Sequence, residues 1–285
     1  MKRAFLVAKA QLFRELRARS NWFLALFVAL VPAARVVAWR VAEAPDRLRR
    51  ARSGDAFTEE ELAGLGWAPL AESWRFGLVL GALVLLFHFA RGVAGDRDSG
   101  LARLAITRSA SRSSLVLGRA LLAPLHVLGL VALTGLSAWI AVDRWYGLGD
   151  LIVDGYPLMT AVELRAELVR SVAVTLPALF ALACFGLFVS VIGRSAVTAV
   201  ALAATCFLGY DLFKELLGDR ALFVFASWVP SIFDRSAMHE MVQVALGYSD
   251  AGLAEGAVRA AAILPWGWAF ALLALSCGIV GRRRL

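Results

Sequence analysis

Arg91-Gly-Val-Ala-Gly-Asp96-Arg97-Asp98-Ser99-Gly100-Leu101-Ala102-Arg103-Leu104-Ala105-Ile106-Thr107-Arg108-Ser109-Ala110-Ser111-Arg112-Ser113-Ser114-Leu115-Val116-Leu117-Gly118-Arg119 is a polar island between two long apolar runs. Asp96 and Asp98 precede Ser99 and Gly100, so carboxylates and a cap-type residue stand where a helix N-terminus favours them. Leu101, Leu104 and Ala105 follow at i, i+3 and i+4, with Arg103 and Arg108 on other faces. The pattern predicts a helix over 99–107, roughly 13 Å long at 1.5 Å per residue. A helix that short does not hold in water alone, so its apolar stripe has to lean on another surface. Ser111-Arg112-Ser113-Ser114 then gives a second cap signal, and the next apolar run begins at Leu115.

Working outward, 60% of the residues are hydrophobic, 18% are charged and the formal net charge is +8. Apolar runs of this length do not belong to a water-soluble domain. A bilayer core takes about 20 apolar residues per helix, and six runs qualify: 22–42, 74–94, 115–142, 169–192, 196–217 and 258–281. Residues 1–21, the loop 95–114, 193–195 and 282–285 hold 14 Lys and Arg in 48 positions. The alternate connections 43–73, 143–168 and 218–257 hold 8 in 97, with 17 carboxylates. That bias assigns both termini and the polar island to the cytoplasm. The expected architecture is one all-α transmembrane domain, and the expected location is a bacterial inner membrane, crossed several times.

Residues 1–21 carry six basic side chains and an apolar arc of Phe5, Leu6, Leu12, Phe13 and Leu16, which suits an amphipathic helix lying in the inner interface. Arg35 lies about one and a half turns inside the first span, so it either snorkels or faces a polar interior. His88 reads as a packing residue on an apolar helix. Pro124 and His126 occupy the third span, where a kink is plausible. Gly193-Arg194-Ser195 forces the fourth and fifth spans into a tight hairpin. Asp211, Lys214 and Glu215 fall near the outer end of the fifth span, where Lys214 and Asp211 pair at i, i+3. They and Arg35 are weak candidates for a substrate pathway. Residues 43–73 include a short helix capped by Thr58, and 218–257 include two short helices dipping into the outer interface.

Metal chemistry is not expected from the sequence. Cys184, Cys206 and Cys277 all lie in spans, and the histidines at 88, 126 and 239 are scattered. Met238, His239 and Met241 suit a soft metal, but the methionines continue an apolar stripe and read as packing. No Gly-x-x-x-x-Gly-Lys-Ser/Thr phosphate loop occurs, so this chain needs another to hydrolyse a nucleotide.

The polar island resembles the first cytoplasmic loop of ABC transporter permeases of the ABC-2 type. The matching positions are Asp96 and Asp98, Gly100, Leu101 to Ile106, Arg108-Ser109, Ser111-Arg112 and Leu117-Gly118-Arg119. Leu101 stands where that family has Thr, Ala110 where it has Pro, and aspartates where it favours Glu. The resemblance implies an elbow helix at 1–21 and a coupling helix at 99–107. Leu101, Arg103, Leu104, Arg108 and Arg112 would dock on the partner, and Asp96 and Asp98 would cap the helix. It further implies an exporter built from two permeases, identical or paralogous, two copies of an ATP-binding subunit, and membrane lipids, without nucleic acid. This chain would bind no cofactor; ATP and Mg²⁺ would sit on the partner ATPase.

An alternative is an intramembrane enzyme, a protease or lipid transferase, which requires paired His, Glu or Asp residues on facing spans. A non-transporting membrane anchor would have no use for a capped apolar stripe in its loop. The topology is directly testable. Single cysteines at Asp55, Asp154 and Ser249 are expected to react with a membrane-impermeant maleimide in intact cells, and one at Ser109 only after lysis; labelling at Ser109 in intact cells would invert the orientation.

Overall fold

The computed structural model describes residues 2–53, 64–102, 111–153, 156–233, 236–249 and 255–282. Helix α1 (Lys2–Arg17) is separated from α2 (Arg19–Ser53) only by Ala18. Then come α3 (Trp67–Asp98), α4 (Arg112–Ala120), α5 (Ala123–Asp143), α6 (Ala161–Ile192) and α7 (Ala196–Phe213). Two 3₁₀ segments, Lys214–Phe223 and Phe225–Trp228, lead to α8 (Ala237–Ala245), and α9 (Glu255–Arg282) follows. Six stretches are long and apolar enough to cross a bilayer: Arg19–Pro45, Trp67–Asp98, Arg112–Asp143, Ala161–Ile192, Ala196–Phe223 and Glu255–Arg282. The chain is a multi-pass helical membrane protein.

The six runs predicted from hydropathy are all present, and most are longer than predicted. Their extra turns are held by polar groups that hydropathy does not weigh. Thr160 and Glu163 form a capping box that starts α6 eight residues before the expected 169. At the start of α3, Trp67 to Ser73 are buried, and the Trp67 indole donates to the Gly149 carbonyl at 2.7 Å. The third run is two helices, because α4 ends at Ala120 and α5 restarts at Ala123 with Pro124 in its first turn. The fold also contains a two-stranded antiparallel ribbon, β1 (Leu151–Val153) with β2 (Tyr156–Met159). An all-α reading misses it, since Leu151-Ile152-Val153 is too short to show a period.

Helices α3 and α6 form the centre: 61% and 67% of their apolar windows are buried, against 17–33% for the other four spans. Their backbones touch. A Cβ at Gly186 of α6 would come within 2.9 Å of the Leu86 carbonyl and 3.1 Å of the Ala90 nitrogen on α3. One turn on, the Ser190 hydroxyl accepts from the Ala94 amide at 2.9 Å. Small residues that let backbones meet, with a side-chain hydroxyl across the seam, are how helices associate where lipid removes the hydrophobic drive.

The connection after α7 exposes Phe223, Ile232 and Phe233 but also reaches inward. Trp228, Val229, Met238 and Met241 are fully buried and join the core formed by α3 and α6. Both methionines are therefore packing residues. The short helix expected at 59–65 falls largely outside the described residues.

The central seam makes a sharp prediction. Gly186→Leu has to displace backbone on α3, which overpacking data put at about 1–3 kcal/mol. The variant should unfold at a lower temperature in detergent, whereas Gly209→Leu on α7, whose Cβ would meet nothing within 4 Å, should not; equal loss from both would show that the seam is not a tight contact.

Candidate functional site

The basic end of the bundle is tied together by charges drawn from three helices, α1, α3 and α4. Asp96 and Asp98 are expected to cap a helix over 99–107, most of which lies outside the described residues. They end α3, which runs through Asp98 and stops at Ser99–Gly100, with Gly100 at φ 74° in the left-handed region that favours glycine. Asp96 Oδ2 accepts from Arg119 of α4 at 2.7 Å, and Asp96 Oδ1 accepts from Arg14 of α1 at 3.1 Å. Asp98 Oδ2 accepts from the Ala196 amide at 2.7 Å and so caps α7, 98 residues further on. Arg97 donates to the carbonyls of Gly193 and Ser190, which end α6. Val93, Val116, Val191 and Val280 form an apolar cluster beneath these groups, so α9 ends here too.

Of the other loop residues, Arg112 opens α4, whose N-cap Ser111 accepts from the Ser114 amide as the sequence predicts. Leu101 is exposed. Arg103, Leu104 and Arg108 lie outside the described residues, as does most of the coupling helix expected over 99–107.

Beside this network lies a cluster that sequence reading missed. Glu15 of α1, His88 of α3 and His126 of α5 converge. Glu15 Oε1 lies 3.3 Å from His88 Nε2, and Oε2 lies 2.9 Å from His126 Nε2. The two imidazoles are 4.9 Å apart between centroids, and Phe89 stands edge-on to both. His126 Nδ1 is 2.8 Å from the Leu122 carbonyl, which the helix break at Leu121–Leu122 leaves within reach. Gln11 donates to Glu15 Oε1 at 2.7 Å. Burial pushes the Glu15 carboxyl up, but hydrogen bonds from His126, His88 and Gln11 outweigh it and hold the group well below the usual carboxylate range. The Glu15 contribution is therefore present above the ordinary carboxylate pKa and falls away as pH drops through the lowered one.

The three side chains line a cleft of about 460 Å³ between α1, α2, α3 and α5. Its remaining lining is apolar apart from Asn21 and Trp22, with Leu12, Leu16 and Val28 among the wall residues. A signal for the cluster was available in the sequence. Glu15 is the sole carboxylate of residues 1–21, and His88 and His126 occupy consecutive antiparallel spans.

Residues 61–232 match the family described as "Protein of unknown function (DUF2705)". The chain belongs to the DUF2705 family. No curated protein matches it. The DUF2705 match spans α3 to the second 3₁₀ segment and so contains His88, Asp96, Arg119 and His126; Arg14 and Glu15 lie before it.

The candidates placed near the outer ends of spans in this DUF2705 chain are engaged in structure. Arg35 does not snorkel unpartnered: its guanidinium is 3.3 Å from Glu72 of α3, which also binds Arg75 at 2.8 Å. Lys214 and Asp211 form the predicted i, i+3 pair at 2.7 Å, buried rather than interfacial, and Ser231 bonds both at 2.9 and 2.6 Å. Glu215 is exposed.

The two contacts of Asp96 are expected to differ in worth. Arg119 is buried, so Asp96→Asn leaves a cation without its carboxylate and should cost on the order of 3 kcal/mol. Arg14 is 45% exposed, and Arg14→Gln should cost less than about 1 kcal/mol. Thermal unfolding of the two variants in detergent measures the difference, and equal destabilisation would make the α1 tie the dominant one.

Proposed function

We propose that this chain is the permease subunit of an ATP-driven exporter of the ABC-2 type, embedded in a bacterial inner membrane with both termini in the cytoplasm. It forms half of a substrate pathway, pairs with a second permease copy or paralogue, and is driven by two copies of a separate ATP-binding subunit. The observation that supports this best is the mechanical connection of the 99–111 loop. The loop joins α3, one of the two central helices, to α4, a short rod detached from α5 at Leu121–Leu122. Asp96 fastens both flanks of the loop to each other and to α1. A push on the loop thus reaches the centre of the bundle through α3 and its edge through α4, which is rigid-body gating without chemistry in the membrane. Arg35, Asp211 and Lys214 act in structural pairing more than in a pathway.

The Glu15–His88–His126 cluster also meets one requirement of an intramembrane enzyme, a His–carboxylate set on facing helices. The transport reading is preferred because both imidazoles already engage Glu15, and Asp96, the second carboxylate of the adjoining cleft, is taken up by Arg14 and Arg119.

The test is a search for an ATP-binding cassette subunit encoded beside this chain, followed by co-purification of the two; a neighbourhood without one counts against the reading. Loss of a buried interface anchor costs about 2 kcal/mol or more, so Leu104→Asp should release the ATPase by more than tenfold with membrane insertion intact. Arg103→Glu should weaken assembly in a salt-dependent manner. If Leu104→Asp retains its partner and transports normally, the loop is not a coupling element.

A further inference from the structure

We propose that Glu15, His88 and His126 bind a divalent first-row transition cation, of the zinc class, which clips α1 to α3 and α5. The donor set is two imidazole nitrogens and one carboxylate oxygen, and the three ligating atoms lie within 4.8 Å of one another. Bonds of about 2.0–2.1 Å to one ion place such donors some 3.3 Å apart in a tetrahedral arrangement. The His88–Glu15 separation of 3.3 Å already matches, and the other separations, which reach at most 4.8 Å, close to that value by up to about 1.5 Å.

A second observation is independent of spacing. His126 has an acceptor on each side: the Leu122 carbonyl at 2.8 Å from Nδ1 and the Glu15 carboxylate at 2.9 Å from Nε2. A carbonyl accepts only, so Nδ1 carries a proton, and in neutral imidazole Nε2 then presents a lone pair to a carboxylate that also presents lone pairs. Either a second proton or a metal cation has to lie between them. The bond from Nδ1–H to a backbone carbonyl is the outer-shell contact that orients a metal-binding histidine and fixes its tautomer. Gln11 does the same for the carboxylate, donating to Glu15 Oε1.

A third observation is access. His88, His126 and Glu15 are partly exposed, with side chains at 25%, 25% and 11%, and all three line the cleft. Three protein ligands with a fourth position opening into a cleft suit an exchangeable ion, whose last ligand is water or a group of a molecule in the cleft. Two nitrogens among three donors favour zinc, cobalt or nickel over magnesium or calcium, which prefer oxygen. The consequence is local: α1, which also carries Arg14 to Asp96, would be held against the second and third spans whenever the ion is present.

The proposal does not rest on the transport reading, and its test requires no ATPase. Full-length chain without a histidine tag, purified in detergent and stripped with chelator, is titrated with Co²⁺. One equivalent should produce the visible d–d bands of a four-coordinate site, and Zn²⁺ should abolish them. Zn²⁺ should also raise the thermal unfolding midpoint in a concentration-dependent way, and Mg²⁺ should not. His88→Ala and His126→Ala should each weaken Co²⁺ binding by at least the roughly tenfold that loss of an outer-shell partner costs. His239→Ala should bind as the parent does, since His239, on α8, is neither in the cluster nor in the cleft lining. Absence of the bands in the parent protein overturns the proposal without reference to any variant. So does equal binding by the parent and by the double variant H88A/H126A.

Discussion

Gly186 of α6 lies so close to the Leu86 carbonyl of α3 that no side chain fits between them, and the rest of the bundle is arranged around that contact. Because the two central backbones touch, Ser190 can reach the Ala94 amide one turn further on. Two turns of α3 beyond Gly186's neighbours, its C-terminal carboxylates are then delivered to the ends of α4 and α7. The same seam leaves a wedge on its far side, filled by Trp228, Met238 and Met241 from the segment after α7. A wider seam would misplace each of these groups.

Polar atoms are used here as joints. Three helices at the basic side are tied by a group borrowed from another helix: α6 by Arg97, α7 by Asp98, and α4 by Asp96 through Arg119. Such bonds are strong where one partner is charged and water is thin. They hold orientation while the apolar faces, which lipid also satisfies, leave it loose. α2, α7 and α9 expose most of their apolar windows, so lipid or a neighbouring chain covers them.

Hydropathy made the six spans legible, and the Ser111 cap and the 193–195 hairpin were legible from local residue types. Span ends were not, because Thr160 with Glu163 and the Trp67 indole act through hydrogen bonds that an average over apolar residues ignores. Asp96 and Asp98 were read with the segment after them, as local caps, whereas their partners are at 14, 119 and 196. Glu15, His88 and His126 failed for a related reason: they are separated by 73 and 38 positions, and each looks alone on its own helix. The pair at Asp211 and Lys214 was found because it is local, but its burial was not, since Ser231 and Trp228 arrive from a later segment.

That last pair bears on how the chain is made. A ribosome delivers residues in order, and α7 reaches the bilayer while Ser231 is still held inside the ribosome. A lone lysine or aspartate at that stage would oppose insertion by a few kcal/mol. Since Lys214 Nζ meets Asp211 Oδ1 within three residues, the two charges can enter as a neutral couple while the turn forms, and Ser231 and the Phe233 amide complete their coordination afterwards. Translation order and final burial are thereby compatible in a helix that would otherwise carry its charges into lipid unaccompanied.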